Sequence, residues 1–360
     1  MSTLEWLRHN AIGWALPRSP GTLADVLAEV EFVQADPIQA PARAQDLILR
    51  HRVRGYRAGD LDRRYPELDV DEDVLYAYGF VARRLRPYLH PRRDRTSADG
   101  RFELDPLSAE VLDFARECGV VHPRDVQERF GRERAVNDWG GTSSATTMLL
   151  ERLHRFGRLR VAHRVAGVRC YEVAPALRES LDLAERRRAV VLRVARILAP
   201  VTQKTLATAV GKLVFWLNTP DGRPGGGWVV RELLSRGELT RATIDGERYV
   251  WPADLEPADD PPANVRFLAP FDPLVWDRRR FGRLWGWDYR FEAYTPAAKR
   301  KLGYYAMPLL WRDRVIGWAC CAGADSEVEV GYVDGAPAGR GFRRALDAEI
   351  ARLRAFLSPR

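Results

Sequence analysis

Gln34 and Asp36 are the two side chains in this 360-residue chain whose types and spacing suggest chemistry. They lie in Phe32-Val33-Gln34-Ala35-Asp36-Pro37. Side chains alternate along an extended segment, so residues two apart point the same way. A carboxylate so placed can accept a proton or stabilise a developing positive charge, and an amide beside it can hold a water. The same residues have a plainer use. Asp followed by Pro makes a good N-cap with a first helical residue. Taken alone, the residues favour that cap. Apolar spacing predicts a helix near 41–53, with Leu47, Ile48 and Val53 on one face. The amide and the carboxylate would then stand at the mouth of that helix.

The elements that must position the pair belong to a chain with room for two to four small domains. It is 46% hydrophobic and 29% charged, the balance of a soluble globular protein. No apolar run approaches the roughly 18 residues of a membrane span. No secretory leader is visible, which predicts a cytoplasmic protein. The cysteines Cys118, Cys170, Cys320 and Cys321 lack C-x-x-C spacing, and the six histidines include no ligand pair. No metal site and no cofactor are expected. The net charge of +8 suits a polyanion partner. Only four of the 57 basic residues are lysine, and arginine is the better bidentate phosphate ligand.

Residues 1–105 read as mostly helical, with Leu4, Leu7, Ile12 and Leu16 on one face and Thr22 capping a second helix. A further helix is expected from Val74, carrying Tyr76, Tyr78 and Phe80. Residues 91–100 form a basic linker. Residues 106–178 follow a winged helix-turn-helix plan. Helices are expected at Pro106–Cys118 and Pro123–Phe130. Trp139-Gly140-Gly141 then leads to Thr142 as N-cap of a third helix ending at Phe156. A hairpin over 158–173 turns at Ala166-Gly167. Residues 179–258 repeat the plan: helices near 185–198, 202–210 and 228–235, a glycine-rich loop over 218–227, and a hairpin turning at Asp245-Gly246, the strongest such signal in the chain. Two such units make a third at the N-terminus credible, although its wing is not visible.

Residues 259–360 turn to β. Trp285, Trp287, Tyr289 and Phe291 alternate with small or charged residues, which predicts a strand with an aromatic core face. A hairpin spans 307–318, and another strand spans 327–333. Together they suggest a small, partly closed antiparallel barrel over 263–335. An amphipathic helix over 340–357 closes the chain. The expected class is α+β: tandem winged helix-turn-helix domains, then a small antiparallel β-barrel-like domain and a C-terminal helix.

Three stretches carry a resemblance. Gln-x-Asp at 34–36 precedes a proline-containing turn and Ala42-Arg43-Ala44. Ala-Pro-Phe-Asp-Pro-Leu-Val-Trp-Asp-Arg occupies 269–278, and Tyr-Arg-Phe-Glu-Ala-Tyr-Thr-Pro-Ala-Ala-Lys-Arg-Lys-Leu-Gly-Tyr-Tyr occupies 289–305. With Trp139-Gly140-Gly141, these strings resemble the Gln-x-Asp branch of the YcaQ/AlkZ family of bacterial DNA glycosylases over nearly the whole chain. The resemblance implies that Gln34 and Asp36 are catalytic. It implies a monofunctional DNA glycosylase that hydrolyses the N-glycosidic bond of N7-alkylated purines, unhooks interstrand crosslinks and leaves abasic sites. One departure is the segment Tyr76–Phe80, which lacks the histidine expected there.

The partner is then duplex DNA carrying alkylated or crosslinked purines, with no membrane and no obligate protein partner, and a monomer is expected. Phosphate contacts are expected from Arg43, Arg50 and Arg52 near the pair, from Arg158, Arg160 and Arg164 in the second wing, and from Lys299, Arg300 and Lys301 near the C-terminus. The wing has no acid among its arginines to relieve their repulsion, which argues for a polyanion there. Two other classes compete: a winged-helix transcription regulator and a passive architectural DNA binder. Neither has a use for the Gln34–Asp36 pair.

Overall fold

The computed structural model describes residues 3–17, 19–92, 102–131, 134–136, 142–177, 181–216 and 226–358. Helices Thr3–Ala15 and Leu23–Val30 come first, and the Thr22 hydroxyl caps the second by accepting from the Asp25 N–H (3.2 Å). A three-stranded antiparallel sheet follows, built from β1 (Phe32–Gln34), β2 (Val70–Val74) and β3 (Tyr78–Ala82) in the order β1-β3-β2.

The helix expected from Val74 is instead this hairpin. Val70, Val74, Tyr78, Phe80 and Val81 are β-formers. The segment also reads Asp71-Glu72-Asp73, acids of the kind that open a helix. All three acids are buried, because arginines distant in sequence neutralise them. The N-terminal part therefore contains an antiparallel hairpin, β2–β3.

Between residues 102 and 252 the expected order of elements holds. Helices Pro106–Cys118, Pro123–Phe130 and Ala145–Arg155 precede a hairpin of Leu159–Val165 with Val168–Val173. Helices Leu183–Ile197, Gln203–Trp216 and Gly227–Ser235 precede a hairpin of Leu239–Ile244 with Glu247–Pro252. Each hairpin takes a short third strand, Val120–Val121 in one and Val201–Thr202 in the other. Thr142 is not a cap. It pairs with Val136 in a two-stranded ribbon, and Ser144 occupies the N-cap position. Trp139-Gly140-Gly141, most of the glycine-rich loop and most of the basic linker lie outside the described residues.

The barrel and the aromatic strand are corrected. Strands Val265–Phe267, Met307–Trp311, Arg314–Cys320 and Glu329–Tyr332 form an open four-stranded sheet whose first and last strands do not pair. Trp285 ends the helix Arg278–Trp285, stopped by Gly286 at φ +71°, and no strand covers 286–292. The aromatic residues are core nonetheless. Trp285 and Tyr289 are buried, and Trp287 packs on both Phe281 and Tyr289. Helix Arg340–Leu357 covers the sheet through Phe342, Leu353 and Phe356.

β1 divides two apolar cores. Val33 belongs to a core shared with residues 111–171 and the C-terminal sheet, whereas Phe32 belongs to one shared with residues 190–250. Strand alternation sends neighbouring residues to opposite sides, so a three-residue strand is locked from both faces. Gln34, at the end of β1, inherits that rigidity.

Candidate active site

Gln34 pairs in register with Gly79, and the pairing runs one residue further where the Ala35 N–H donates to the Tyr78 carbonyl (3.0 Å). The chain is therefore extended as it enters Asp36. Gly79 has to be glycine. A Cβ there would overlap the Val33 carbonyl and lie 2.7 Å from the Phe32 ring. This close approach of β3 presses β1 into place.

The chain then turns without becoming helical. Asp36 Oδ1 accepts from the Ile38 N–H (2.9 Å), a two-residue Asx turn. Helix Ala44–Leu49 begins eight positions later, and Arg43 stands at its N-cap without a side-chain bond to the helix's own N–H groups. Asp36 is thus not a helix cap, because Pro37 and Pro41 supply no N–H for a helical run through the intervening residues. The helix still reaches back to the site. Gln45, from its first turn and buried, offers Oε1 to the Asp36 N–H (3.4 Å).

Asp36 is half-buried, and that burial raises its carboxyl above the usual carboxylate range, with the Ile38 hydrogen bond opposing. Its second oxygen makes no hydrogen bond among the described residues. The Gln34 Oε1 is covered and likewise has no partner. A buried acceptor left unpaired costs roughly 1–3 kcal/mol, so structures seldom retain one without a use.

The hydroxyl of Tyr305 is also buried, with no hydrogen-bond partner among the described residues. Tyr305 precedes strand Met307–Trp311 and packs in the same core against which Ala35 and Ile38 rest. Burial, then the negative charge of Asp36, then Tyr289 push this phenol well above its usual range, and the Arg278 guanidinium opposes them. Arg278 lies over the Tyr289 ring at 4.7 Å. Segments 269–278 and 289–305 therefore meet each other, through Arg278 on Tyr289 and Phe271 against Phe291. Gln45, Arg278 and Tyr305 escape the sequence reading as site residues. The signal was present, since Gln45 follows Ala42-Arg43-Ala44 and the other two fall within the long matched strings.

The basic residues divide. Arg50 is engaged by Glu349 and Arg52 by Asp272, with side chains only 3% exposed, so neither is at the surface for a phosphate. Arg160 bonds Asp71 (3.1 Å) and also Glu172, while Arg164 Nε bonds Glu72 (2.7 Å). The acids that relieve the wing thus come largely from β2, which removes the repulsion argument for a polyanion. Burial would raise the Glu72 carboxyl, but Arg164, Tyr78 and Arg169 carry it below its ordinary value. Arg43 pairs with Asp62, with its guanidinium beside the wing turn at Gly167. Arg158, Lys299 and Lys301 are exposed. Arg300 donates to the Thr295 carbonyl (2.8 Å) and covers the Tyr304 ring at 4.9 Å.

A model of the family described as DNA glycosylase AlkZ-like matches residues 27–356, a span that includes every residue of this site. The chain belongs to the AlkZ-like DNA glycosylase family. It is therefore a glycosylase with DNA as substrate, and the regulator and architectural readings fall away. The fold is similar to that of the Streptomyces sahachiroi DNA glycosylase AlkZ, with TM-score 0.60 at 14% identity, covering 99% of this chain and 96% of that one. Among the described residues of this AlkZ-like chain, no helix is long and apolar enough to cross a membrane.

Proposed function

We propose that this AlkZ-like glycosylase hydrolyses the N-glycosidic bond of N7-alkylated purines in duplex DNA and unhooks interstrand crosslinks of that type. The observation that carries the proposal is the half-buried Asp36 carboxylate, held by one oxygen and unengaged at the other, beside a Gln34 amide oxygen without a partner.

N7 alkylation makes the purine cationic, so it leaves without protonation. The bond from C1′ to N9 breaks, and its electron pair neutralises the purine. The sugar acquires oxocarbenium character, which the Asp36 carboxylate stabilises. Water adds at C1′ and gives its proton to Asp36. Gln34 holds the water or the sugar. The products are free alkylpurine and an abasic site. The mechanism requires no lysine Schiff base, so no strand cleavage follows.

We further propose that the three helix-and-hairpin regions act as winged helices in domains 1–105, 106–178 and 179–258, with 259–360 as a fourth. Phosphate contacts come from Arg43, Arg158, Lys299, Arg300 and Lys301. Arg50 and Arg52 are left out because they are buried in ion pairs, and Arg160 and Arg164 hold the second hairpin to β2. The test is incubation with duplex DNA carrying N7-methylguanine or a nitrogen-mustard crosslink, followed by alkali. Wild type should yield alkali-labile strands. Asp36→Asn and Gln34→Ala should bind DNA yet lose most of that yield, by about 100-fold or more for Asp36→Asn. Full activity in both variants would remove the pair from the mechanism.

A further inference from the structure

We infer that Tyr294 is a stacking platform for an unpaired nucleobase of DNA, carried on an ordered loop whose cations hold the neighbouring phosphates. The inference rests on the reading of Lys299, Arg300 and Lys301 as phosphate contacts and adds a contact to a base.

The loop is tied down at both ends. It leaves the core at Phe291, whose ring packs on Phe271 and on Tyr305, each at 5.2 Å. The Glu292 carboxylate, buried, accepts from the N–H groups of both Lys301 and Leu302 (2.8 Å each) and so closes the loop at its base. Inside it, the Thr295 N–H donates to the Glu292 carbonyl (2.9 Å), Arg300 Nε donates to the Thr295 carbonyl (2.8 Å), and a short helical turn covers Ala297–Lys299. A loop knit in this way is ordered before a ligand arrives, which lowers the entropy lost on binding.

Tyr294 stands on this loop 80% exposed, more than any other large hydrophobic side chain among the described residues. Its ring meets Phe291 nearly at right angles, at 6.2 Å and 81°, which restrains its direction and leaves most of it in solvent. A lone surface tyrosine needs no explanation, but the surroundings of this one carry charge of a single sign. Residues 293–305 contain no acid, and they hold Arg300 and two of the four lysines of the chain, Lys299 and Lys301, both exposed. Arg300 also covers the ring of Tyr304, itself 42% exposed. An open aromatic ring among cations is the arrangement that holds unpaired bases: the cations take the phosphates, and the ring takes the face of the base, whatever its identity. Paired bases in a duplex offer no such face. A DNA glycosylase creates one, because removing a base orphans the base opposite it.

Binding is measured by fluorescence anisotropy with labelled probes: an intact duplex, the same duplex carrying a tetrahydrofuran abasic-site analogue, and the single strand. Wild type should bind the abasic duplex more tightly than the intact one. Tyr294→Ala should weaken binding to the abasic duplex and the single strand about tenfold and leave the intact duplex unaffected. Its slope of log affinity against log salt should match wild type, because no phosphate contact is removed. Tyr294→Phe should bind as wild type does, since stacking needs the ring and not the hydroxyl. The melting temperature should not move in either variant, because the ring lies in solvent. Unchanged binding of all the probes by Tyr294→Ala overturns the inference. An equal loss on every probe also overturns it, as does a loss shared by Tyr294→Phe, which would assign the hydroxyl to a phosphate. Lys299→Ala and Lys301→Ala report separately through the salt slope, so a failure of the phosphate reading is told apart from a failure of stacking. None of these measurements needs turnover, so they stand whatever lesion the enzyme excises.

Discussion

Arg52 and Asp272, 220 positions apart, are joined by two hydrogen bonds of 2.8 and 3.3 Å, with side chains 3% and 0% exposed. Each end is further committed. Arg52 also donates to the carbonyls of Ile48 (2.8 Å) and Ala15 (3.1 Å), and Asp272 accepts from the Leu274 N–H (3.0 Å) as the cap of helix Pro273–Trp276. The pair fastens the end of the helix that follows the Gln34–Asp36 turn to the C-terminal string 269–278. Arg50 and Glu349 make a second such tie, from the same helix end to helix Arg340–Leu357. Removing one partner of a buried pair strands the other charge. Asp272→Ala should lose about 3–5 kcal/mol of unfolding free energy in urea. The double variant Arg52→Ala/Asp272→Ala should lose clearly less than the sum of the singles, and additive losses would show that the pair is not coupled.

Gly79→Ala places a methyl group against the Val33 carbonyl and the Phe32 ring. β1 must move to receive it, and Gln34 is the register partner of Gly79. The expected cost is about 1–3 kcal/mol by thermal melting, with glycosylase activity falling further than fractional unfolding explains. The same change at exposed Gly341, where a Cβ meets nothing, is the control.

Asp46 gives the fold a pH dependence. Its Oδ1 accepts from the Tyr56 hydroxyl (2.7 Å) and the Gly59 N–H (3.0 Å). Burial raises its pKa to about 6 from 3.8, with Asp62 adding to the rise and Tyr56, Gly59 and Arg43 opposing it. The folded state therefore binds this proton more tightly than the unfolded chain does. The stabilisation is complete below pH 3.8 and is lost as pH rises to about 6, roughly 3 kcal/mol in all. An amide oxygen accepts the same two bonds without a charge. Asp46→Asn should abolish this part of the stability profile and be neutral or stabilising at pH 7, as read by melting temperature against pH.

Catalysis should follow pH in the opposite sense. Asp36 must be ionised to accept a proton, and burial lifts its pKa above the usual carboxylate range. The rate should therefore rise with pH through a limb displaced upward from that of a solvent-exposed aspartate. Asp36→Asn should remove the limb altogether. A wild-type limb at or below the ordinary aspartate value would count against Asp36 as the acceptor.

DNA affinity should fall steeply with salt. Lys299→Ala and Lys301→Ala should each lower the slope of log affinity against log salt by about 0.9, the value of one phosphate contact. Salt titrations of nonspecific duplex binding decide this, and an unchanged slope in both variants would place the C-terminal segment away from the backbone.

The sequence by itself singled out Gln34 and Asp36 as the candidate pair, because they are neighbours in the chain and their spacing has a local meaning. It also located the two hairpins with local turn chemistry, Ala166-Gly167 and Asp245-Gly246, where the structure has φ of +48° and +81°, and of +51° and +78°. The terminal helix was legible for the same reason, its apolar period being written in consecutive residues. Tertiary structure alone decided the rest. Asp71-Glu72-Asp73 reads as the lead into a helix from Val74 until arginines from residues 92, 160 and 164 arrive to make a buried strand of it. Arg50 and Arg52 read as phosphate ligands until Glu349 and Asp272 engage them. Asp36 reads as a helix cap until its carboxylate is found to accept from the Ile38 N–H in a turn that does not become helical. Local preference is set by neighbours in sequence, whereas burial and ion pairing depend on residues that only the folded chain brings together.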